Sequence, residues 1–208
     1  MLNLKFHLDL SDEDAMRMYQ DGDGRAFEIL LDRHGAPVLR YVMKMLHIEQ
    51  CSAEDLMQEV FLKVIERRGS YDPDKKFTTW LYTITRNHCI DYMRVHKNRR
   101  HELFEAPVYG REGAGPVFFD VVESEERDQE QKAMDSEIRE IMDRGMEDMS
   151  DEIREVFLLR EIEDMALKEI ADIVDAPLST VKSRLRYAYK KLREVFIRVG
   201  YFEEEKRA

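Results

Sequence analysis

Apolar residues recur at three- and four-residue spacing through nearly the whole chain, the signature of helices with one buried face. Phe27, Leu30, Leu31, His34, Val38, Tyr41, Val42 and Met45 form one such row. Leu56, Val60 and Val64 run beside Met57, Phe61 and Ile65 in another, and Phe77, Leu81, Ile84 and His88 in a third. Further along come Ile138, Ile141, Met142 and Met146, then Ile153, Val156, Phe157 and Ile162. Ile170, Ala171 and Val174 make a short inward face, and Val181, Leu185, Ala188 and Leu192 a longer one. The pattern predicts an all-α protein. Start signals agree with it: Ser11 before three acids, Ser52 with Asp55 three residues on, Thr78, Ser150, and Ser179 or Thr180 are suited to capping orphan N–H groups. Asp21-Gly22-Asp23-Gly24 and the loop 69–76 read as turns, and Gly35-Ala36-Pro37 as a kink.

The period lapses between residues 101 and 132. This stretch holds Gly110, Gly113, Gly115, Pro107 and Pro116, with nine acids against Arg111, Arg127 and Lys132. It reads as a flexible acidic linker. Two helical domains are therefore expected, over 1–100 and 133–208.

The second domain carries the sharpest motif. Lys168 to Val174 is a short helix, Asp175-Ala176-Pro177 breaks it, and a basic helix follows. Asp175 suits a left-handed turn position. Two helices joined by so tight a turn predict a helix-turn-helix whose second helix enters the DNA major groove, and Asp175-Ala176-Pro177 is where the chain would turn. Net charge −11 argues against a DNA binder. Its distribution answers the objection, because Lys182 to Arg193 holds six cations and no acid. Local potential governs phosphate contact, so weak intrinsic affinity and a partner that supplies the rest are expected.

In the first domain, aromatic and cationic groups interleave from Lys75 to Arg94, the combination that unstacked single-stranded bases need. Lys75, Lys76, Arg86 and Asn87 are candidate nucleic-acid contacts, whereas Trp80 is expected in the core. No apolar run reaches membrane-spanning length. Cys51 and Cys89 form no CxxC pair, and the Asp21 turn lacks the bidentate Glu of a calcium loop. No metal, cofactor or catalytic constellation is expected, so the chain does not read as an enzyme.

Two blocks carry a family resemblance: AEDLMQEVFLKVIERRGSYDPDKKFTTWLYTITRNHCIDYMR (53–94) and SDEIREVFLLREIEDMALKEIADIVDAPLSTVKSRLRYAYKKLRE (150–194). In order and spacing they resemble bacterial sigma factors of the extracytoplasmic function (ECF) group within the sigma-70 family. The resemblance implies a transcription initiation factor of a stress response, without a catalytic site, acting with core RNA polymerase on promoter DNA. It implies region 2 over 1–100 and region 4 over 133–208. Asp55, Gln58, Glu59 and Lys63 would dock on the polymerase clamp helices. Lys75, Lys76, Phe77, Thr79, Arg86, Asn87 and Arg94 would melt the minus-ten element and capture a flipped base. In the recognition helix Lys182, Ser183, Arg186 and Tyr187 would face bases of the minus-thirty-five element. Arg184 and Lys190 would contact phosphates, and Ser179 and Thr180 would stand at the helix start. The acidic linker is similar to the sigma segment that threads the RNA channel. An anti-sigma factor is an expected partner, holding an otherwise cytoplasmic bacterial protein at the membrane without membrane insertion. Asp175, Ala166-Leu167 and Ser179 depart from the residues frequent in the family. Two other readings are a stand-alone helix-turn-helix regulator and a sigma-like interaction decoy.

Overall fold

Ser11 opens the first helix as its sequence predicts. Its backbone is extended and its Oγ accepts from the Asp14 N–H at 3.1 Å, satisfying one orphan donor of the helix start. The computed structural model describes residues 10–102 and 129–201. The first stretch holds α1 (Asp12–Gln20), α2 (Gly24–Leu46), α3 (Gln50–Arg67), a single 3-10 turn (Arg68–Ser70) and α4 (Phe77–Glu102). The second holds α5 (Gln129–Glu147), α6 (Asp151–Glu161), α7 (Leu167–Val174) and α8 (Leu178–Arg198). No strand occurs among the described residues.

Most of the expected linker lies outside the described residues. At its margins, residues 101–102 end α4 and 129–132 begin α5. Gln129, Glu130, Gln131 and Lys132 are all good helix formers, so helix reaches past the boundary that charge suggested.

Three helix starts differ from the capping signals, each because another group supplies the geometry. α3 begins at Gln50 behind an extended Glu49, which leaves Ser52 inside the first turn. α4 begins at Phe77, whose N–H donates to Glu13 Oε1 of α1 at 3.0 Å, so a tertiary acceptor replaces the Thr78 cap. α8 begins at Leu178. Pro177 O accepts from the N–H groups of Thr180 and Val181 at 2.8 and 3.1 Å, which places Ser179 and Thr180 within the helix rather than at its cap. Pro37 produces no break, and α2 runs through it with Leu30, Val38, Tyr41 and Val42 all buried. Burial of that apolar face outweighs the hydrogen bond that Pro37 cannot donate.

The helices α1 to α4 enclose Met16, Leu30, Val38, Tyr41, Val60, Val64 and Leu81. In the second half Val156, Phe157, Leu158, Ile170, Val181 and Ala188 do the same, and the two sets join in one apolar cluster. Trp80 is only partly buried and packs against Tyr71 at 5.3 Å between ring centroids.

α5 crosses α8 at Gly145. A Cβ there would lie 2.5 Å from Leu192 Cδ2, closer than any real contact. Gly145→Val is therefore expected to destabilise the chain by about 1–3 kcal/mol through overpacking. Urea unfolding checks it, and an unchanged midpoint would show that Leu192 repacks freely.

Candidate nucleic-acid interface

The apolar stripe of α8 fixes which way its polar groups point. Val181, Leu185, Ala188, Leu192 and Val195 are buried against α5, α6 and α7. Burial of one such Leu or Val is worth roughly 1.5–3 kcal/mol, enough to set the rotation of the helix. Lys182, Ser183, Arg186, Tyr187 and Lys190 are consequently exposed, with Ser179, while Thr180 and Arg184 are half-buried. Ser183 Oγ donates to Thr180 O at 2.9 Å, so its hydroxyl already serves the backbone. Lys190 stands 3.8 Å from Glu194 in an exposed pair of little energetic weight. The turn before α8 is tight because Asp175 adopts φ 50°, ψ 53°, the left-handed conformation expected of it. Tyr189 pins α8 to α6 by donating to Glu161 Oε1 at 2.5 Å.

The candidate contacts on and before α4 separate into three groups. Lys75, Lys76, Asn87 and Arg94 are exposed, with Arg94 Nη1 3.2 Å from Asp91. Phe77 is fully buried, among Tyr71, Trp80 and His34, and so offers no ring to a base. Its place among the nucleic-acid contacts is corrected to a core residue: the first turn of α4 packs against α1 and turns that ring inward. Thr79 and Arg86 look toward the second half. Thr79, Lys75 and Lys76 line one wall of a cleft of about 820 Å³ whose other wall is Asp172, Asp175, Ala176 and Pro177 of the helix-turn-helix.

Arg86 sits at the centre of the contact between the halves. Its Nε is 2.6 Å from Glu155 Oε1 of α6, and Glu155 is 3 % exposed. Burial pushes the Glu155 carboxyl up, and the Arg86 charge only partly offsets it. Glu163 is raised for the same reason, with Tyr82 beside it as the leading counterweight. Desolvation drives the Tyr41 and Tyr82 hydroxyls well up, and neither reaches a well-aligned hydrogen bond. Two further pairs cross between the halves: Lys76 Nζ to Glu169 Oε1 at 2.5 Å, and Lys44 Nζ to Asp143 Oδ1 at 2.6 Å. The hydrogen bond to Glu169 raises Lys76. Glu155 and Glu169 escaped the sequence reading because acids on a helix read as solvated faces, and Glu163 because an acid in the loop after α6 reads the same way. Only the partner half reveals them.

The third face belongs to α3. Asp55, Gln58 and Glu59 are exposed and Lys63 half-buried. Glu59 Oε2 lies 2.9 Å from His88 Nε2, and Asp55, Glu59, Asp91, Tyr92 and Val95 line a shallow groove between α3 and α4. Desolvation lowers His88, against the pull of Glu59. Leu62, 56 % exposed, adds an apolar group that falls outside both apolar rows of α3; that displacement was its only trace in the sequence.

Among the described residues no group of three or more His, Cys, Asp or Glu could hold a metal ion, and no helix is long and apolar enough to cross a membrane.

The family model for Sigma-70 region 2 matches residues 30–99, and that for Sigma-70 region 4 matches 145–194. The ECF RNA polymerase sigma-E factor of Escherichia coli (strain K12) is 30% identical over 178 residues, covering 85% of this chain and 89% of its own. The ECF RNA polymerase sigma factor SigW of Bacillus subtilis (strain 168) is 28% identical over 180 residues, covering 86% and 93%. The fold is similar to CnrH in complex with the cytosolic domain of CnrY, at TM-score 0.60 and 19% identity over 89% of this chain and 96% of that one. It is equally similar to the sigma factor RpoE in complex with the anti-sigma factor NepR from Bartonella quintana, at TM-score 0.59 and 19% identity over 80% and 96%. With region 2 followed by region 4 and a sigma-E relative aligned along most of its length, the chain belongs to the ECF sigma factors of the sigma-70 family.

Proposed function

We propose that the chain is a transcription initiation factor that binds core RNA polymerase through α3, reads the minus-thirty-five element through α8, and melts the minus-ten element with α4 and the loop before it. The observation that carries the reading is the exposed row Lys182, Arg186 and Tyr187, projecting from a helix whose opposite face is buried, at the end of a helix-turn-helix. Such a helix suits the major groove, where Arg or Lys pairs with the acceptors of guanine and Ser adapts to either base. Arg184 and Lys190 flank it for phosphates, with Ser179 and Thr180 in its first turn. Lys75, Lys76, Thr79, Arg86, Asn87 and Arg94 serve the separated strand, and base extrusion there costs a few kcal/mol that stacking and hydrogen bonds offset.

Asp55, Gln58, Glu59 and Lys63 form the polymerase-docking face, and exposed Leu62 beside them supports its role as a contact surface. The reading makes the protein a cytoplasmic, non-enzymatic factor that needs no cofactor. An anti-sigma factor is its expected regulator, and the likeness to a fold solved with an anti-sigma factor supports that.

Run-off transcription with core polymerase tests the function. Promoter-dependent product is expected, and its absence on every cognate-type template would overturn the reading. Lys75→Ala with Lys76→Ala is expected to slow open-complex formation and to lower the log–log salt slope by about 1.4, two single-strand phosphate contacts at ~0.7 each. Unchanged open-complex kinetics in that variant would remove the loop from the melting machinery.

A further inference from the structure

The loop that carries Lys75 and Lys76 lies on the surface, yet its backbone is held at both ends and in its middle. Between Arg68 and Lys76 only Tyr71 is buried, at 3 % exposure. Surface loops ordinarily leave their backbone groups to water. Here three side chains reach them instead. Gln20, the last residue of α1, donates through Nε2 to Arg68 O at 2.7 Å and to Tyr71 O at 3.0 Å. Both partners are acceptors, so the amide can present only its NH2 group, and both protons are spent on the 3-10 turn. Tyr71 Oη donates to Lys75 O at 2.6 Å; burial pushes that hydroxyl up to about 12, so it remains a donor. Glu13 of α1 accepts from the N–H of Phe77, the residue after Lys76. We infer that Gln20, Tyr71 and Glu13 are positioning residues of the minus-ten reader: they hold the loop in one shape, so that Lys75 and Lys76 are set for the separated strand before it arrives. The inference rests on the assignment of that loop to melting.

Local chemistry shapes part of the loop but does not anchor it. Pro73 fixes its own φ, Asp72 O accepts from the Lys75 N–H at 3.0 Å, and Asp72 Oδ1 accepts from the Asp74 N–H at 3.1 Å. These bonds close one turn within the loop and leave its direction relative to the helices open. The ties to α1 and the Tyr71 ring fix that direction. Tyr71 packs edge-on to Phe77 and beside Trp80, and the Arg68 guanidinium lies 5.6 Å from the centre of the Tyr19 ring, a further tie between α1 and the turn. The consequence is energetic. A loop ordered only when DNA binds loses its backbone freedom at that moment and weakens every contact it makes, whereas a loop ordered on folding does not. All three positioning side chains lie in the first half and away from Asp55, Gln58, Glu59 and Lys63, so their loss should leave polymerase docking alone.

The test uses the full chain with core polymerase on duplex promoter DNA, and separates initial binding from the isomerisation that opens the strands. Tyr71→Phe removes one hydroxyl and keeps the ring. Gln20→Glu keeps the shape but turns a carboxylate toward two carbonyls. Isomerisation is expected to slow by about two- to tenfold in Tyr71→Phe, the effect of one net hydrogen bond, and by about tenfold or more in Gln20→Glu. Initial binding and polymerase affinity should match the parent's. Glu13→Gln, which keeps an acceptor for the Phe77 N–H, should lose less than Glu13→Ala. The same Tyr71→Phe change is then made in the chain that already carries Lys75→Ala and Lys76→Ala. There it should slow isomerisation no further, because the groups it positions are gone. An unchanged isomerisation rate in folded Tyr71→Phe or Gln20→Glu overturns the inference. Equal slowing with and without the two lysines also overturns it, since that marks general support of the fold, and so does a loss confined to initial binding. If Gln20→Glu does not fold, Gln20→Ala takes its place. Failure of the melting assignment itself shows separately, as unaltered open-complex kinetics of the Lys75 and Lys76 variant.

Discussion

Replacing Arg154 with Met should cost about 3–5 kcal/mol of stability, through the buried carbonyls it leaves without a donor. Arg154 is 4 % exposed, and its guanidinium spends its donors on three carbonyls. Nε donates to Met146 O at 3.1 Å, Nη2 to Met149 O at 2.9 Å and Nη1 to Met45 O at 3.2 Å. Nη1 also donates to Asp151 Oδ1 at 3.0 Å. Desolvation lowers the Arg154 pKa, and Asp151 is the nearest compensating charge. Met45 lies in the last turn of α2 and Met146 in that of α5, where carbonyls lack intrahelical donors. Arg154 therefore acts as a shared C-terminal cap for two helices and ties down the loop between α5 and α6.

Met preserves length and apolar packing, so the loss isolates the hydrogen bonds rather than a cavity. Each buried carbonyl left without a donor costs about 1–3 kcal/mol, and Met146 O retains the Met149 N–H at 3.1 Å as a second partner. Arg154→Lys should fall between the two, because one ammonium cannot span three carbonyls in a plane. Urea unfolding followed by circular dichroism reads the difference as a shift in midpoint at constant slope. A Met variant within about 0.5 kcal/mol of the parent, the usual range for surface changes, would mean that water replaces the guanidinium.

Arg154 also shows where sequence reading stopped. Its burial is not legible there, because an Arg beside Ile153, Val156 and Phe157 reads equally well as part of the solvated side of α6. The helices themselves were legible, since their periods are long and their apolar faces clean. So was Asp175 in the left-handed turn, because local sterics alone decide it. The starts of α3, α4 and α8 were not, as Glu13 reaches Phe77 from another helix and Pro177 carries α8's first carbonyl. The candidate site divided in the same way. The outward row of α8 follows from the position of its apolar stripe. Phe77 and Arg86 depended on what packs against α4, and that information sits some seventy residues away at Glu155 or across the bundle at His34.

Arg186→Ala should reduce promoter-dependent transcription by about 5–150-fold, the range that corresponds to losing one bidentate base contact worth about 1–3 kcal/mol. Lys182→Ala should act in the same direction, relaxing or abolishing minus-thirty-five recognition. Both side chains are exposed and lie opposite the buried stripe of Val181, Leu185 and Ala188, so stability should change by no more than about 0.5 kcal/mol. That separates loss of reading from loss of fold. Core-polymerase binding should be unaffected, because Asp55, Gln58, Glu59 and Lys63 belong to α3 in the other half. Arg186→Lys should not rescue, since an ammonium cannot reproduce the planar fork of a guanidinium. Lys190→Ala provides the contrast: a phosphate contact weakens all sequences alike and lowers the salt slope by about 0.9. Promoter-sequence preference measured in run-off transcription, together with polymerase pull-down, distinguishes the classes. If Arg186→Ala keeps the parent's sequence preference, α8 is not read through that side chain. If it loses polymerase instead, the division of labour between α3 and α8 is wrong.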